Sequence, residues 1–332
     1  MSSQNSLFRF PALDPIISIV LMFALTQALA LSAGILLINA AVQNPSVNAV
    51  SVAPMPAEPE NPLNAVVFIA YVLAGAGAAL LAIRFLRGRM AFRLLEFAML
   101  SASVSVLFLA FFIGLAHVDF LVAVSVSGGL GLLFALVKFF FKGLKNTAAI
   151  LSSAGVGALF WFSMGFWPAM LFIVALSLYD YVAVFKTRHM LALAQHLGAR
   201  ELSFTITAEK KEEEKKFVPP VKSSVSRIQS SLPQYSAPSP SPSPATKPSP
   251  SSGVDRLDLG SGDLAIPAML AVSTYGMAGL GGSLAVTAGS TVSLYVLLKF
   301  VLEKRVALPA LPPICMGALC ALLIFLLARI AA

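Results

Sequence analysis

The chain has 332 residues, 58% of them hydrophobic and only 11% charged, with a net charge of +8 and a mean hydropathy of +0.86. A soluble domain carries about 25% charged residues, so this composition excludes a soluble enzyme and defines a polytopic membrane protein. The basic excess then reports cytoplasmic loops rich in Lys and Arg rather than a nucleic-acid partner.

Nine apolar segments follow in order, near 15–41, 63–83, 94–116, 118–137, 147–166, 168–185, 263–281, 284–301 and 309–331. The first resembles a signal peptide, because Arg9 precedes it and small residues follow. Pro15–Ala41 carries no charge, however, and is long enough to cross a hydrocarbon layer of about 30 Å, so it reads as an uncleaved span. With the N-terminus in the cytoplasm, the inside segments hold every basic residue except Arg329. Glu58, Glu60, His117 and Asp119 fall outside. That split follows the positive-inside rule and places the C-terminus outside. A miscounted span would scramble it. The fold expected is an all-α, nine-helix membrane bundle in a cell membrane.

Three regions are expected: spans one to six over 1–185, a cytoplasmic loop over 186–258, and spans seven to nine over 259–332. The loop opens with "KTRHMLALAQHLG", the pattern of a short amphipathic helix ended by Gly198. "AEKKEEEKK" has no apolar face. The Pro/Ser tract at about 232–252 has nothing to bury and reads as a disordered linker. Cys315 and Cys320, in the last span, sit on different helix faces and read as packing residues.

Glu96, Asp180 and Asp263 are the acids inside apolar segments. Glu96 lies three residues past Arg93, near enough to the cytoplasmic face to reach headgroups or a loop arginine. Asp180 lies six residues before Lys186, about 9 Å inside that face at 1.5 Å per residue. Asp263, seven residues after Arg256, enters from the same side to a similar depth. Each buried carboxylate costs about 2.5–3.5 kcal/mol at a span's centre and less toward the edge. Consecutive antiparallel spans are usually neighbours, so the two side chains can meet and share one proton. One is then a base and the other an acid, able to activate water without metal or cofactor. Paired acids also mark cation and proton pathways, and the pair alone leaves a leak channel or proton-coupled transporter open.

Gly260 and Gly262 flank Ser261 before Asp263. Lacking side chains, they admit another backbone close to the carboxylate and weaken the helix there. Pro309, Pro312 and Pro313 cannot continue a helix inward from the loop, so "PALPP" is expected to be extended until a helix starts near Pro313. Ala310 is small enough for close approach.

"YD" at Tyr179–Asp180, "GSGD" at Gly260–Asp263 and "PAL" at Pro309–Leu311 resemble the three signatures of the GxGD intramembrane aspartyl proteases, the presenilins and signal peptide peptidases. Their order and their places on the sixth, seventh and ninth spans match as well. The stretch after Asp180, the form of "PALPPI" and the orientation are nearest the presenilins. The resemblance implies that Asp180 and Asp263 are catalytic. It also implies that Tyr179, Gly260, Ser261, Gly262, Pro309, Ala310 and Leu311 contact substrate, a transmembrane peptide within the bilayer. Two features depart from the pattern: Ser261 replaces the usual leucine, and the loop has no apolar segment like the one at which presenilins cut themselves. Small size and a short polar N-terminus are similar to archaeal homologues, which implies activity without accessory subunits. Other intramembrane protease chemistries lack their residues. There is no His-Glu-x-x-His, His189 and His196 having no glutamate between them, and no Gly-x-Ser-x-Gly.

Overall fold

The computed structural model describes residues 14–44, 46–47, 58, 60–85, 89–116, 118–160, 164–182, 205–209, 256–304 and 308–331. Six helices come first: α1 (Pro15–Gln43), α2 (Leu63–Phe85), α3 (Arg89–Ala116), α4 (Phe120–Phe140), α5 (Lys145–Leu159) and α6 (Phe166–Val182). Strands β1 (Thr205–Glu209) and β2 (Arg256–Gly260) follow, then α7 (Ser261–Lys304) and α8 (Leu311–Ala331). Five helices among the described residues are long and apolar enough to cross a membrane: α1, the Arg93–Ala116 part of α3, α4, α7 and α8. Their outward faces are greasy; Leu121 on α4 is 78% exposed and Ile330 on α8 is 82% exposed. Apolar surface on that scale is what lipid, not water, accommodates. The chain is an integral, multi-pass membrane protein.

Several hydroxyls inside the helices are satisfied by their own helix, which suits an apolar medium. Thr26, Ser105 and Thr274 each donate to the carbonyl four residues earlier, at 2.7–2.8 Å. Pro15 opens α1, where its missing N–H is no loss. The Glu60 carboxylate covers the start of α6, accepting from the N–H groups of Phe166 and Trp167 at 3.2 and 3.4 Å. A negative group there also suits the helix dipole. Glu96 pairs with Lys138 of α4 rather than with a loop arginine, while Arg93 lies 5.7 Å from the Phe139 ring centre.

Helix α7 has 44 residues, about 66 Å if straight and twice what a bilayer core needs. It does not run straight. Gly279 adopts φ 68°, ψ −167°, a conformation open to glycine, and two helical arms meet there. The sequence reading divides its seventh and eighth spans within the same Gly-rich stretch. The later arm lies against α8 with almost no side chain between: a Cβ at Gly289 would overlap the Gly317 carbonyl oxygen, and one at Gly317 would overlap Ser293. Ser293 donates to the Pro313 carbonyl at 2.6 Å, which fixes the start of α8.

The expectation of an all-α chain needs one correction. β1 and β2 form an antiparallel pair, Thr205 opposite Gly260 and Thr207 opposite Asp258. β1 lies inside the region read as a cytoplasmic loop, for which no strand is expected, and β2 crosses its boundary drawn at residue 258. Two short alternating runs, "TITAE" and "RLDLG", form them. Ile206 and Leu259 are opposite each other and join a core cluster with Ile19, Phe23, Leu264 and Ile314. The sheet is therefore held by the membrane helices. The amphipathic segment at 186–198, the charged run beyond Ala208 and Glu209 (which end β1) and the Pro/Ser tract lie outside the described residues.

Gly289→Ala should lower stability by about 1–3 kcal/mol, since the backbone opposite cannot yield cheaply. Gly128→Ala, with nothing within 4 Å of its added carbon, should be neutral or stabilising by up to about 1 kcal/mol. Thermal unfolding in detergent compares them.

Candidate active site

The sheet and three helix ends converge around the two acids. Asp180 is on the last turns of α6, half-buried, and its carboxylate accepts a hydrogen bond from the main-chain N–H of Leu311. Asp263 is in the first turn of α7, also half-buried, accepts from the N–H of Gly260, and lies within electrostatic reach of Asp180. The three short motifs singled out in the sequence therefore meet at one place.

Each donor has a local cause. Leu311 is the first residue of α8, and the first N–H groups of any helix have no partner inside it. The helix begins two residues earlier than Pro313 because Pro312 and Pro313 both fit a first turn, where no N–H is needed. Of the five residues of "PALPP", Pro309 and Ala310 precede the helix and the other three are within it. Gly260 ends β2 and Ser261 begins α7 with no linker between. Gly260 is a strand residue paired opposite Thr205. Its hydrogen is close to the carboxylate because strand and helix join with no residue between them. A Cβ there would sit 3.4 Å from Asp263 Oδ2, an ordinary contact, while nothing lies within 4 Å of one at Gly262. The open space is on the Gly262 side.

The other residues expected at the site divide. Ser261 is half-buried and its carbonyl is taken by Ser153 of α5. Pro309 is buried and Ala310 half-buried beside the sheet's core cluster. Tyr179, adjacent to Asp180, is 60% exposed on the outer face of α6.

Several neighbours are not read as site residues from the sequence, Cys315 being taken there as a packing residue. The buried thiol of Cys315, one turn into α8, is within electrostatic reach of both acids and faces Ser177 of α6. Gln27 of α1 donates to the Leu264 carbonyl at 3.1 Å. Asn146, at the start of α5, grips the outer edge of β1. Its amide donates to the Thr207 carbonyl at 3.0 Å and its oxygen accepts from the Thr207 N–H at 3.1 Å. Lys145 donates to Thr207 Oγ1 at 3.0 Å, and Thr207 Oγ1 donates to Asp258. A polar residue embedded in an apolar stretch, such as Gln27 within α1, was the available signal.

A helical membrane bundle that brings two carboxylates together inside it has the makings of an intramembrane aspartyl protease. The chain belongs to the signal-peptide peptidase, presenilin aspartyl protease family, whose model matches residues 20–331. It is an aspartyl protease of that family, and the membership favours proteolysis over ion transport. Two crystal forms of a presenilin family intramembrane aspartate protease share the fold. In space group C222 the TM-score is 0.62 at 22% identity, over 95% of this chain and 100% of that one. In P2 it is 0.53 at 22% identity, over 91% and 96%. No curated protein matches the sequence.

Asn146→Leu removes both bonds to Thr207, each worth about 0.5–1.5 kcal/mol. Its Thr207 amide should exchange with solvent deuterium faster than in the unaltered protein, and unfolding should occur at lower temperature.

Proposed function

We propose that Asp180 and Asp263 are the catalytic pair of an endopeptidase that hydrolyses peptide bonds of transmembrane helices. The observation that carries this is the meeting of the two carboxylates, each with one main-chain donor, from Leu311 and from Gly260. A single proton is shared between them, since two adjacent carboxylates resist ionising together. The ionised member takes a proton from water as the water oxygen bonds to the scissile carbonyl carbon. The protonated member gives its proton to the carbonyl oxygen. In the resulting gem-diol the newly protonated carboxyl gives its proton to the amide nitrogen while the other carboxylate takes one from a diol hydroxyl; the C–N bond breaks, and the products leave as acid and amine. The pair ends as it began, with one proton.

A transmembrane helix hides its amides in its own hydrogen bonds and has to unwind before water can attack. Unwound, it needs main-chain partners. β1 is closed on its outer side by Asn146, and no strand lies beyond β2 among the described residues. An extended substrate added along β2 would run toward Asp263 and past the open side of Gly262, with Pro309–Leu311 opposite. Tyr179, Gly260 and Ser261 complete the proposed contact set. Ser261, polar where the family pattern has leucine, favours a small or polar substrate side chain at its subsite.

The proposed topology has nine crossings, the two arms of α7 counting as two, with the N-terminus and the 186–258 region in the cytoplasm and the C-terminus outside. Water then reaches the pair from the cytoplasmic side. The protein acts on its substrates without accessory subunits.

With purified protein in liposomes and a transmembrane peptide, Asp180→Asn and Asp263→Asn should each remove nearly all cleavage read by mass analysis of products. Cleavage retained in either variant refutes the pair. Leu311→Pro keeps a residue suited to a helix start but removes the donor to Asp180. A hydrogen bond to a charged group is worth about 1.5–3 kcal/mol, so the cleavage rate should fall by about 10- to 100-fold with the fold intact.

A further inference from the structure

Asp263 sits where its own helix is least able to hold it. It is in the first turn of α7, and four residues on is Pro267. Proline has no N–H, so the helical bond that would close on the Asp263 carbonyl is absent. The turn bearing the carboxylate is thus short of the bonds that normally stiffen a helix, yet general acid–base chemistry depends on placement: a shift of about 1 Å can cost 10²-fold in rate.

Two side chains from other helices bond the main chain on either side of it. Ser153 of α5 donates to the Ser261 carbonyl at 3.1 Å. Gln27 of α1 donates to the Leu264 carbonyl at 3.1 Å. A carbonyl has two lone pairs, so both bonds can be added to whatever the helix itself makes. Both donors are buried, Gln27 completely and Ser153 to 2% exposure. Gln27 is an expensive residue for that place: its Oε1 is buried and finds no donor among the described residues. An apolar residue of the same volume would avoid that penalty. The helices that carry the donors are packed tightly on α7. A Cβ at Gly34 of α1 would overlap Val272, and one at Gly157 of α5 would press on Ala268, so neither donor can drift from α7.

We infer that Gln27 and Ser153 are positioning residues that clamp the turn bearing Asp263, making it the fixed acid against which Asp180 is set. This rests on the assignment of Asp263 to the catalytic pair. The titratable groups facing Asp263 are Asp180 from α6 and the Cys315 thiol from α8; α1 and α5 contribute the neutral Gln27 and Ser153. Loss of the clamp lets the two carboxylates move apart, and the splitting between their two proton-loss steps shrinks with that separation. The bell-shaped dependence of kcat on pH, whose limbs those steps set, then narrows.

The test uses full-length protein in liposomes with a transmembrane peptide, comparing Gln27→Met, Ser153→Ala and the double variant. Each single change should lower kcat by about 10-fold or more, leave KM within about twofold, and narrow the pH bell. The double variant should lose less than the product of the single losses, because both act on one turn. Ser153→Cys, with a weak donor of similar size, should fall between serine and alanine. A kcat that falls only in proportion to the folded fraction, with the bell's width unchanged, would overturn the clamp and leave a packing role. Unchanged kcat in Ser153→Ala would also overturn it, even if Gln27→Met failed to fold. Failure of the underlying reading looks different: Asp263→Asn would itself retain cleavage.

Discussion

Two carboxylates drawn into an apolar bundle are tolerable only where the protein supplies what water would have supplied. Here the supply comes from main-chain N–H groups at ends of secondary structure, the start of α8 for Asp180 and the end of β2 for Asp263. Such ends are the places where a chain has amides to spare. Most of the unusual local features trace to that need. Two prolines start α8 where its first amide faces an acid, and a strand runs without a linker into the helix that carries the other acid.

The surrounding bundle turns these ends into a fixed arrangement. Helices α1, α5 and α7 approach closely through Gly34, Gly157 and alanines, as membrane helices do where small residues allow. α7 and α8 meet through Gly289 and Gly317, and the Ser293 bond sets where α8 begins. The helix bearing Asp180 is differently placed: Leu178, Tyr179 and Tyr181 on either side of the acid are exposed. The turn bearing Asp263 is thus joined to a close-packed core, while Asp180 stands near a helix end whose neighbouring side chains are uncovered.

Much of this was legible in the chain. Apolar length and the placement of Lys and Arg gave the membrane class, and the costs of Asp180 and Asp263 singled them out of fifteen acidic residues. The seam at Gly279 was readable because glycines cluster there. What escaped notice was short or depended on packing. β1 and β2 are five residues each, and their alternation means little until Ile206 and Leu259 find the same core. Prolines at 312 and 313 read equally as extended chain or as a first helical turn, and the Leu311 amide bonding Asp180 decides between them. Glu96 took Lys138, more than forty residues away, as its partner, which no local reading could supply. Gln27, Asn146 and Ser153 matter through bonds to distant main chain, invisible to periodicity.

The central claim is that the Asp180 and Asp263 carboxylates act on one water between them. An experimentally determined structure with a peptide bearing a hydroxyl in place of the scissile bond tests it most directly, because that hydroxyl occupies the site of the attacking water. Both carboxylates should lie within hydrogen-bond reach of it, about 2.6–3.2 Å, with the peptide extended alongside β2. A peptide bound elsewhere, or a hydroxyl touched by one acid while the other stays apart, would contradict the account.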